Sequence, residues 1–335
     1  MERRIFLQVI AGSATGSRLG HLRVPEQTNP AEDPYLDAHT HVNSVRLADV
    51  VESQAKKRVV QPIDGAELVR RMDPAGTKKA IVLSTAYMMA SDAFPRGITE
   101  AEEHQQVGQE NDFAARECAR FAERLIPFLS LNPKRSYAIH EIDRCVDELG
   151  MQGLKLHFWN SLVDVRDPAQ RERVRSVIEH AASRGLPVVA HVFVGAIENF
   201  GPTDVEKLVF EVVEPLRSLR FCFAHLGGAG RFDSQVQAVF AKLIDICGPS
   251  TGLAHRVFAD MAAVLFGLET ERTKATPEAD QKRMGELLRA WGLDRIFWGS
   301  DTIPDYLAQT RAGWPLTSQE WKTVCSHRGR GFLSL

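Results

Sequence analysis

A chain of 335 residues is long enough for two ordinary domains or for one large α/β barrel. Its 41 basic and 43 acidic residues nearly cancel, to a formal −2, which removes the electrostatic case for nucleic acid or an anionic membrane and leaves small molecules as partners. Five cysteines (Cys118, Cys145, Cys222, Cys247 and Cys325) are odd in number and far apart, which argues against a disulfide framework, and no apolar run has the length of a membrane span.

The chain opens with Met1-Glu2-Arg3-Arg4-Ile5-Phe6-Leu7-Gln8, which resembles the twin-arginine export signal. The stretch Val9 to Gly16 is apolar and rich in small residues, but Arg18 interrupts it early and no A-x-A cleavage site is present. A working Arg3-Arg4 leader would make the protein exported and periplasmic; chance arginines on a tail would leave it cytoplasmic. Residues 1–32 are set aside as leader or tail, and residues 33–335 carry the fold.

From Pro34 onward, short apolar runs alternate with helical stretches. The runs are Tyr35–His39, Ala80–Ser84, Leu125–Leu131, Gly153–His157, Pro187–Phe193, Leu219–His225, Val257–Met261 and Ile296–Trp298. They are apolar almost throughout, as parallel strands covered on both faces are. Between them lie the amphipathic segments Ala66–Met72, Glu102–Glu123, Ala138–Leu149, Ala169–Arg184, Asp204–Glu214, Ser234–Ile246 and Glu278–Trp291. This alternation predicts a single-domain α/β fold, a (β/α)8 TIM-type barrel. The oversized connection from Thr85 to about Ala101 carries Tyr87, Met88, Met89, Phe94 and Pro95. It comes after a barrel strand, so it is expected as a lid or substrate wall, or else as a surface excursion.

His39 and His41 are two apart on one strand and point the same way, as the first two ligands of a cation such as zinc require. His157, His191 and His225 fall at or near the ends of three successive runs, 34 residues apart each time. One βα unit of a barrel spans about 30–35 residues. Asp301 comes directly after Phe297-Trp298-Gly299-Ser300. Barrel enzymes carry their chemistry at such strand ends, and burying these groups toward one axis is costly unless something positive holds them. The plainer alternative is a set of separately hydrogen-bonded core histidines. No G-x-S-x-G elbow is present, which disfavours a serine hydrolase.

With these residues in view, the chain resembles the amidohydrolase superfamily, and more narrowly its amidohydrolase-related group of lactonases and nonoxidative decarboxylases. The likeness runs from Tyr35 to about Asp305 and rests on H-x-H, on Gly153-Leu154-Lys155-Leu156-His157, on the histidines of strands five and six, and on Gly299-Ser300-Asp301. It implies His39, His41 and His191 as metal ligands, Asp301 as a ligand that also handles a proton, and His225 as an acid, base or substrate polariser. Cys325-Ser326-His327-Arg328 departs from the group's usual ending, and no role is assigned there.

One divalent metal is expected, zinc first, with manganese or a binuclear site as alternatives. In binuclear members of the superfamily a carboxylated strand-four lysine bridges two metals; here Lys155 and His157 are expected as second-metal or substrate-contacting groups, or Lys155 as partner of a buried acid such as Asp37. Trp159, Asn160, Phe193 and Arg231 are weaker candidates for the pocket wall, while His104, His140 and His180 read as surface or interface residues. The expected function is metal-dependent hydrolysis of an amide, lactone or ester-like bond of a small molecule. The alternatives are a metal-dependent decarboxylase or hydratase of an aromatic or unsaturated acid, and a binding protein on an inactive barrel. Oligomeric state is open, with a homodimer as one option.

Overall fold

The computed structural model describes residues 35–55, 60–193, 200–228, 232–264, 277–301, 314–325 and 331–333. The leader expected over residues 1–32 lies outside them. Eight strands run in chain order: β1 Tyr35–Thr40, β2 Thr77–Leu83, β3 Leu125–Ser130, β4 Leu154–His157, β5 Val188–His191, β6 Phe221–Phe223, β7 Val257–Asp260 and β8 Ile296–Phe297. Each is parallel to the next. The last strand meets the first through Ala38 N–H on the Trp298 carbonyl at 2.9 Å and Asp301 N–H on the His39 carbonyl at 2.7 Å. This is the predicted (β/α)8 barrel in one sheet.

The helices fall in the predicted gaps and end for recognisable reasons. Glu100–Ala119 starts on a capping box, in which Thr99 accepts from Glu102 N–H and Glu102 reaches back to Thr99 N–H. Pro168–Ser183 begins with proline at its first turn behind the cap Asp167. The segment expected as one helix over Asp204–Glu214 is helical only over Pro202–Leu208, then widens into a π-turn over Val209–Val213. Among the described residues, three helices, Val45–Ala55, Phe158–Ser161 and Ser318–Cys325, were not expected from the sequence.

Side chains alternate between two apolar clusters. Val82, Leu154, Leu156, Val188 and Ala190 pack toward the helices, while Ile81, Leu83, Phe128, Val189, Cys222, Phe258 and Phe297 fill the barrel. Strand β1 breaks this alternation. Its register on β2 slips between Asp37 and Thr40, where β1 takes one residue more than β2 needs from Ala80 to Val82. Such a bulge admits one extra residue and re-aims the side chains beyond it. Leu36 therefore packs in the barrel interior, and His39, of opposite parity, is buried near the same axis against Asp260, Lys155 and Asp301.

The floor of the barrel is closed by the C-terminal segment. Phe332 is buried against Phe258 at 5.4 Å and Phe297 at 5.5 Å between ring centroids, and its carbonyl accepts from Arg220 at 2.7 Å. All five cysteines are buried, as core residues should be, and none forms a disulfide. Replacing Phe332 by alanine removes a ring from the middle of this aromatic cluster. We expect Phe332→Ala to cost about 3–5 kcal/mol of unfolding free energy, measured by chemical denaturation. A loss below about 1 kcal/mol would show that the segment does not plug the barrel.

Candidate active site

The barrel axis meets solvent at the carboxyl ends of the strands, and there the polar residues collect. His39 is buried, with Nδ1 2.8 Å from Asp260 Oδ2, while His41 places Nδ1 2.7 Å from the Leu83 carbonyl. A ring nitrogen facing a carboxylate or carbonyl carries the proton, so each ring keeps its lone pair on Nε2. Both Nε2 atoms face Asp301 Oδ1, at 3.3 Å from His39 and 3.4 Å from His41. In a tetrahedral zinc site with bonds of 2.0–2.1 Å, neighbouring ligand atoms stand about 3.3 Å apart. Two imidazole nitrogens and one carboxylate oxygen thus match edges of such a site in both spacing and chemistry, and the three residues fit a divalent metal.

His225 lies just past β6, which ends at Phe223, in a left-handed turn with φ 54° at His225 and 55° at Leu226. Asp301 has φ 64°. Each left-handed residue that is not glycine costs on the order of 1 kcal/mol or more and persists only where its surroundings fix it. Here they do. Asp260 Oδ1 accepts His225 N–H at 2.9 Å and Ala262 N–H at 3.1 Å, and His225 Nδ1 meets the Ala262 carbonyl at 2.7 Å. Asp301 N–H is held by the His39 carbonyl.

Asp260 is a site residue that the sequence reading passed over. It could group with His39 and His225 around a cation, yet both its oxygens already accept hydrogen bonds, from His39 Nδ1 and from two backbone N–H groups. Those bonds make it an orienting carboxylate. The signal that finds Asp301, a carboxylate ending an apolar run, would have found Asp260 as well.

Register explains the next pair. His157 on β4 lies beside His191 on β5, and adjacent strands are about 4.8 Å apart, so the two rings stack at 4.1 Å. Tyr87, from the short 3-10 helix Ala86–Ala90 after β2, stacks on His157 at 4.6 Å. The long connection is thus a buried wall over this part of the site. His191 touches His225 edge-on at 5.1 Å but falls outside both His/Asp clusters found among the described residues.

Lys155 is buried, with Nζ 3.3 Å from His39 Nε2. The pairing with Asp37 is not observed: Asp37 Oδ1 accepts from His39 and Ser300 N–H, and its Oδ2 has no partner. Trp159 and Phe193 are half-buried, against Phe94 and Phe200 respectively. Arg231 lies outside the described residues. His104 and His180 are tied to Glu141 and Asp143, not free on the surface.

Burial dominates the charge states. It holds His39 neutral, its pKa lowered to about 3, with the Lys155 ammonium adding to the effect. Burial lowers Lys155 to about 8, against the opposing pull of Asp260 and Asp301. Burial pushes Asp301 up, but the close approach of His41 and the nearby His225 and His39 outweigh it and hold this carboxyl well below the usual range. Burial and the Asp301 charge both raise the Tyr87 phenol, keeping it protonated.

Asp37 offers a test of this electrostatic picture. Burial raises its carboxyl from 3.8 to about 7. A raised folded-state pKa contributes stability that is complete below the unfolded value and lost as pH rises through the folded one. In metal-free protein, the stability of wild type relative to Asp37→Asn should fall between about pH 4 and 7, by at most about 1.4 kcal/mol per pH unit. Urea denaturation across that range measures it, and a pH-independent difference would contradict the assignment.

Three kinds of relative bear on identity. The family model described as amidohydrolase matches residues 36–330. No curated protein sequence matches the chain. Among solved structures, a 2,6-dihydroxybenzoate decarboxylase from Rhizobium superposes with TM-score 0.59 at 14% identity, covering 90% of this chain and 98% of that one. A 5-carboxyvanillate decarboxylase from Novosphingobium aromaticivorans, with bound manganese, gives 0.62 at 14%, covering 90% and 97%. A probable 2-pyrone-4,6-dicarboxylic acid hydrolase from Acinetobacter baumannii gives 0.57 at 13%, covering 89% and 98%. The three structures share the fold, and the family match over nearly all of the folded chain shows that this protein belongs to the amidohydrolase family.

Proposed function

We propose that the protein is a metal-dependent hydrolase acting on an amide, lactone or ester-like bond of a small molecule. One observation carries the reading: Asp301 Oδ1 stands 3.3–3.4 Å from two imidazole nitrogens whose lone pairs face it. In this reading His39, His41 and Asp301 hold one divalent cation, zinc before manganese, with His191 as the further nitrogen donor on the next wall. When bound, such an ion supplies Lewis acidity and lowers the pKa of water toward neutrality.

The chain's own residues divide the remaining work. Asp301, set between the two imidazoles, would hold the ion and also take up a proton beside it. His225, with Nδ1 committed to Ala262, has Nε2 to take a proton and return it to the leaving group. Asp260 keeps both His39 and His225 in orientation.

A second reading is nonoxidative decarboxylation of an aromatic or unsaturated acid. It is favoured by the two decarboxylases among the structural relatives, one of which holds manganese. The same residues would then hold a cation that takes the substrate's carboxylate and adjacent hydroxyl rather than one that activates water.

Two measurements test the proposal. Metal analysis should find about one divalent ion per chain in wild type and in His225→Asn, and little in Asp301→Asn or His41→Ala. On a panel of lactones, esters and amides, His225→Asn should lose about 10²–10⁴-fold in turnover. Carbon dioxide released from hydroxybenzoates, with no hydrolysis across the panel, would replace the first reading by the second.

A further inference from the structure

In the outer ring of helices one arginine is left over. Helix Pro168–Ser183 presents Pro168, Arg171, Glu172 and Arg175 along one face, as spacings of three and four residues do. They line a hollow of about 400 Å³, whose far wall is Phe210 and Glu211 of the π-turn and Pro215 beyond it. Arg171 is engaged: Nη1 donates to the Val165 carbonyl at 2.7 Å, and Nη2 pairs with Glu211 Oε2 at 2.6 Å. The other oxygen of Glu211 accepts from Lys207 Nζ at 3.0 Å. Arg175, one turn on, makes no hydrogen bond or ion pair with any described residue, and its Nε is buried without an acceptor. A buried donor in that state is costly unless something completes it.

The π-turn shapes the far wall. Glu214 N–H bonds the Val209 carbonyl at 2.7 Å, five residues back, so this turn is one residue wider than an α-helical one. Val209, Val212 and Val213 stay buried, while Phe210 stands 44% exposed. It is the only aromatic among the exposed large hydrophobics of the described residues. Arg256, itself buried, fixes this wall from behind by donating to the carbonyls of Val213, Glu214 and Leu216 at 3.0, 2.8 and 3.0 Å. Both walls are thus built without help from an occupant.

Charge and shape select what fits. Arg171 and Glu211 neutralise each other, and Lys207 brings a further cation to Glu211. Glu172 is exposed and pairs with no described residue. A planar guanidinium without a partner matches a carboxylate through two parallel hydrogen bonds. A dianion such as phosphate would face the carboxylates of Glu172 and Glu211 for the same single free cation. Pro168, Pro215 and the Phe210 ring offer apolar contact to a flat body, and small-molecule sites of about 300–1,000 Å³ combine apolar walls with a few polar groups in this way. We propose that the hollow is a binding site for a small aromatic monocarboxylate, with Arg175 pairing its carboxylate and Phe210 packing on its ring. The ligand ties the helix before β5 to the π-turn after it, and the site owes nothing to the metal reading.

Benzoate is the probe. Nitrogen-15 NMR of the arginine-labelled protein as purified follows Arg175 Nε–H, assigned by the signal lost in Arg175→Gln. Titrated benzoate should shift that signal with a Kd of about 1 mM or tighter. It should do so equally in Asp301→Asn, which separates this site from the barrel centre. Acetate, which lacks the ring, and inorganic phosphate should each bind about tenfold more weakly or worse. Phe210→Ala should weaken benzoate about threefold or more on the same signal. In Arg175→Gln the neighbouring Arg171 Nε–H reports instead, and its response should be lost at concentrations that saturate wild type.

An Arg175 signal that benzoate leaves unmoved up to about 10 mM overturns the proposal. Affinity undiminished in Phe210→Ala does the same, as does phosphate binding as tightly as benzoate. A response abolished by Asp301→Asn would place the benzoate at the barrel centre and equally removes the outer site.

Discussion

Asp37 Oδ1 accepts the backbone N–H of His39 at 3.1 Å and that of Ser300 at 3.0 Å, and these two hydrogen bonds tie the first strand to the end of the last. The bulge in β1 takes the His39 N–H out of the regular ladder, and a buried N–H without an acceptor is costly. Asp37 supplies that acceptor and shares the same oxygen with the segment that carries Asp301. Gly299 allows the close approach: a Cβ there would sit 2.5 Å from that of His39. Barrel closure and the meeting of His39, His41 and Asp301 are thus one event, and a change that loosens the seam loosens the site.

The second constraint is Asp260, which acts on two strand ends at once. One oxygen orients the His39 ring and the other holds the backbone at His225 and Ala262, where the chain turns left-handed. The strain at His225 and Leu226 is tolerated because the hydrogen bonds that define it are buried and multiple. Its product is an imidazole pressed against the metal-binding side of the cavity, with ring centroids 4.8 Å from His39 and 5.1 Å from His191. A regular continuation of β6 would have sent His225 along the strand instead.

Much of this was legible in the chain. Short runs, apolar almost throughout, located all eight strands, and the 34-residue spacing of His157, His191 and His225 placed them on successive units. Parity predicted that His39 and His41 share a face, and both do turn Nε2 to Asp301. The hidden features depend on contacts between distant segments. The bulge at His39 arises from how β1 meets β2 and β8, and nothing in Asp37-Ala38-His39 announces it. Pairing of Lys155 with Asp37 was one alternative open on charge alone, whereas the seam engages Asp37 and leaves Lys155 beside His39. The orientation of His157 comes from the start of Phe158–Ser161, a helix of one turn, too short for any periodicity to reveal.

Two sides of the cavity consequently answer to different parts of the chain. The side that carries His39, His41, Asp260 and Asp301 is built from β1, β7 and the end of β8, and its polar groups are tied to one another by buried hydrogen bonds. The facing wall comes from the β2 connection, β4 and β5, as a stack of Tyr87, His157 and His191 flanked by half-buried Trp159 and Phe193. Tyr87 comes from a connection anchored by Asp92 with Arg135, a contact away from the seam. In the proposed readings, hydrolysis and decarboxylation would draw on the same cation and the same His225. The difference between them would then lie in how this wall presents the substrate. On that reading the residues that close the fold are not those that would meet the variable end of the substrate, so the wall could change without rebuilding the barrel.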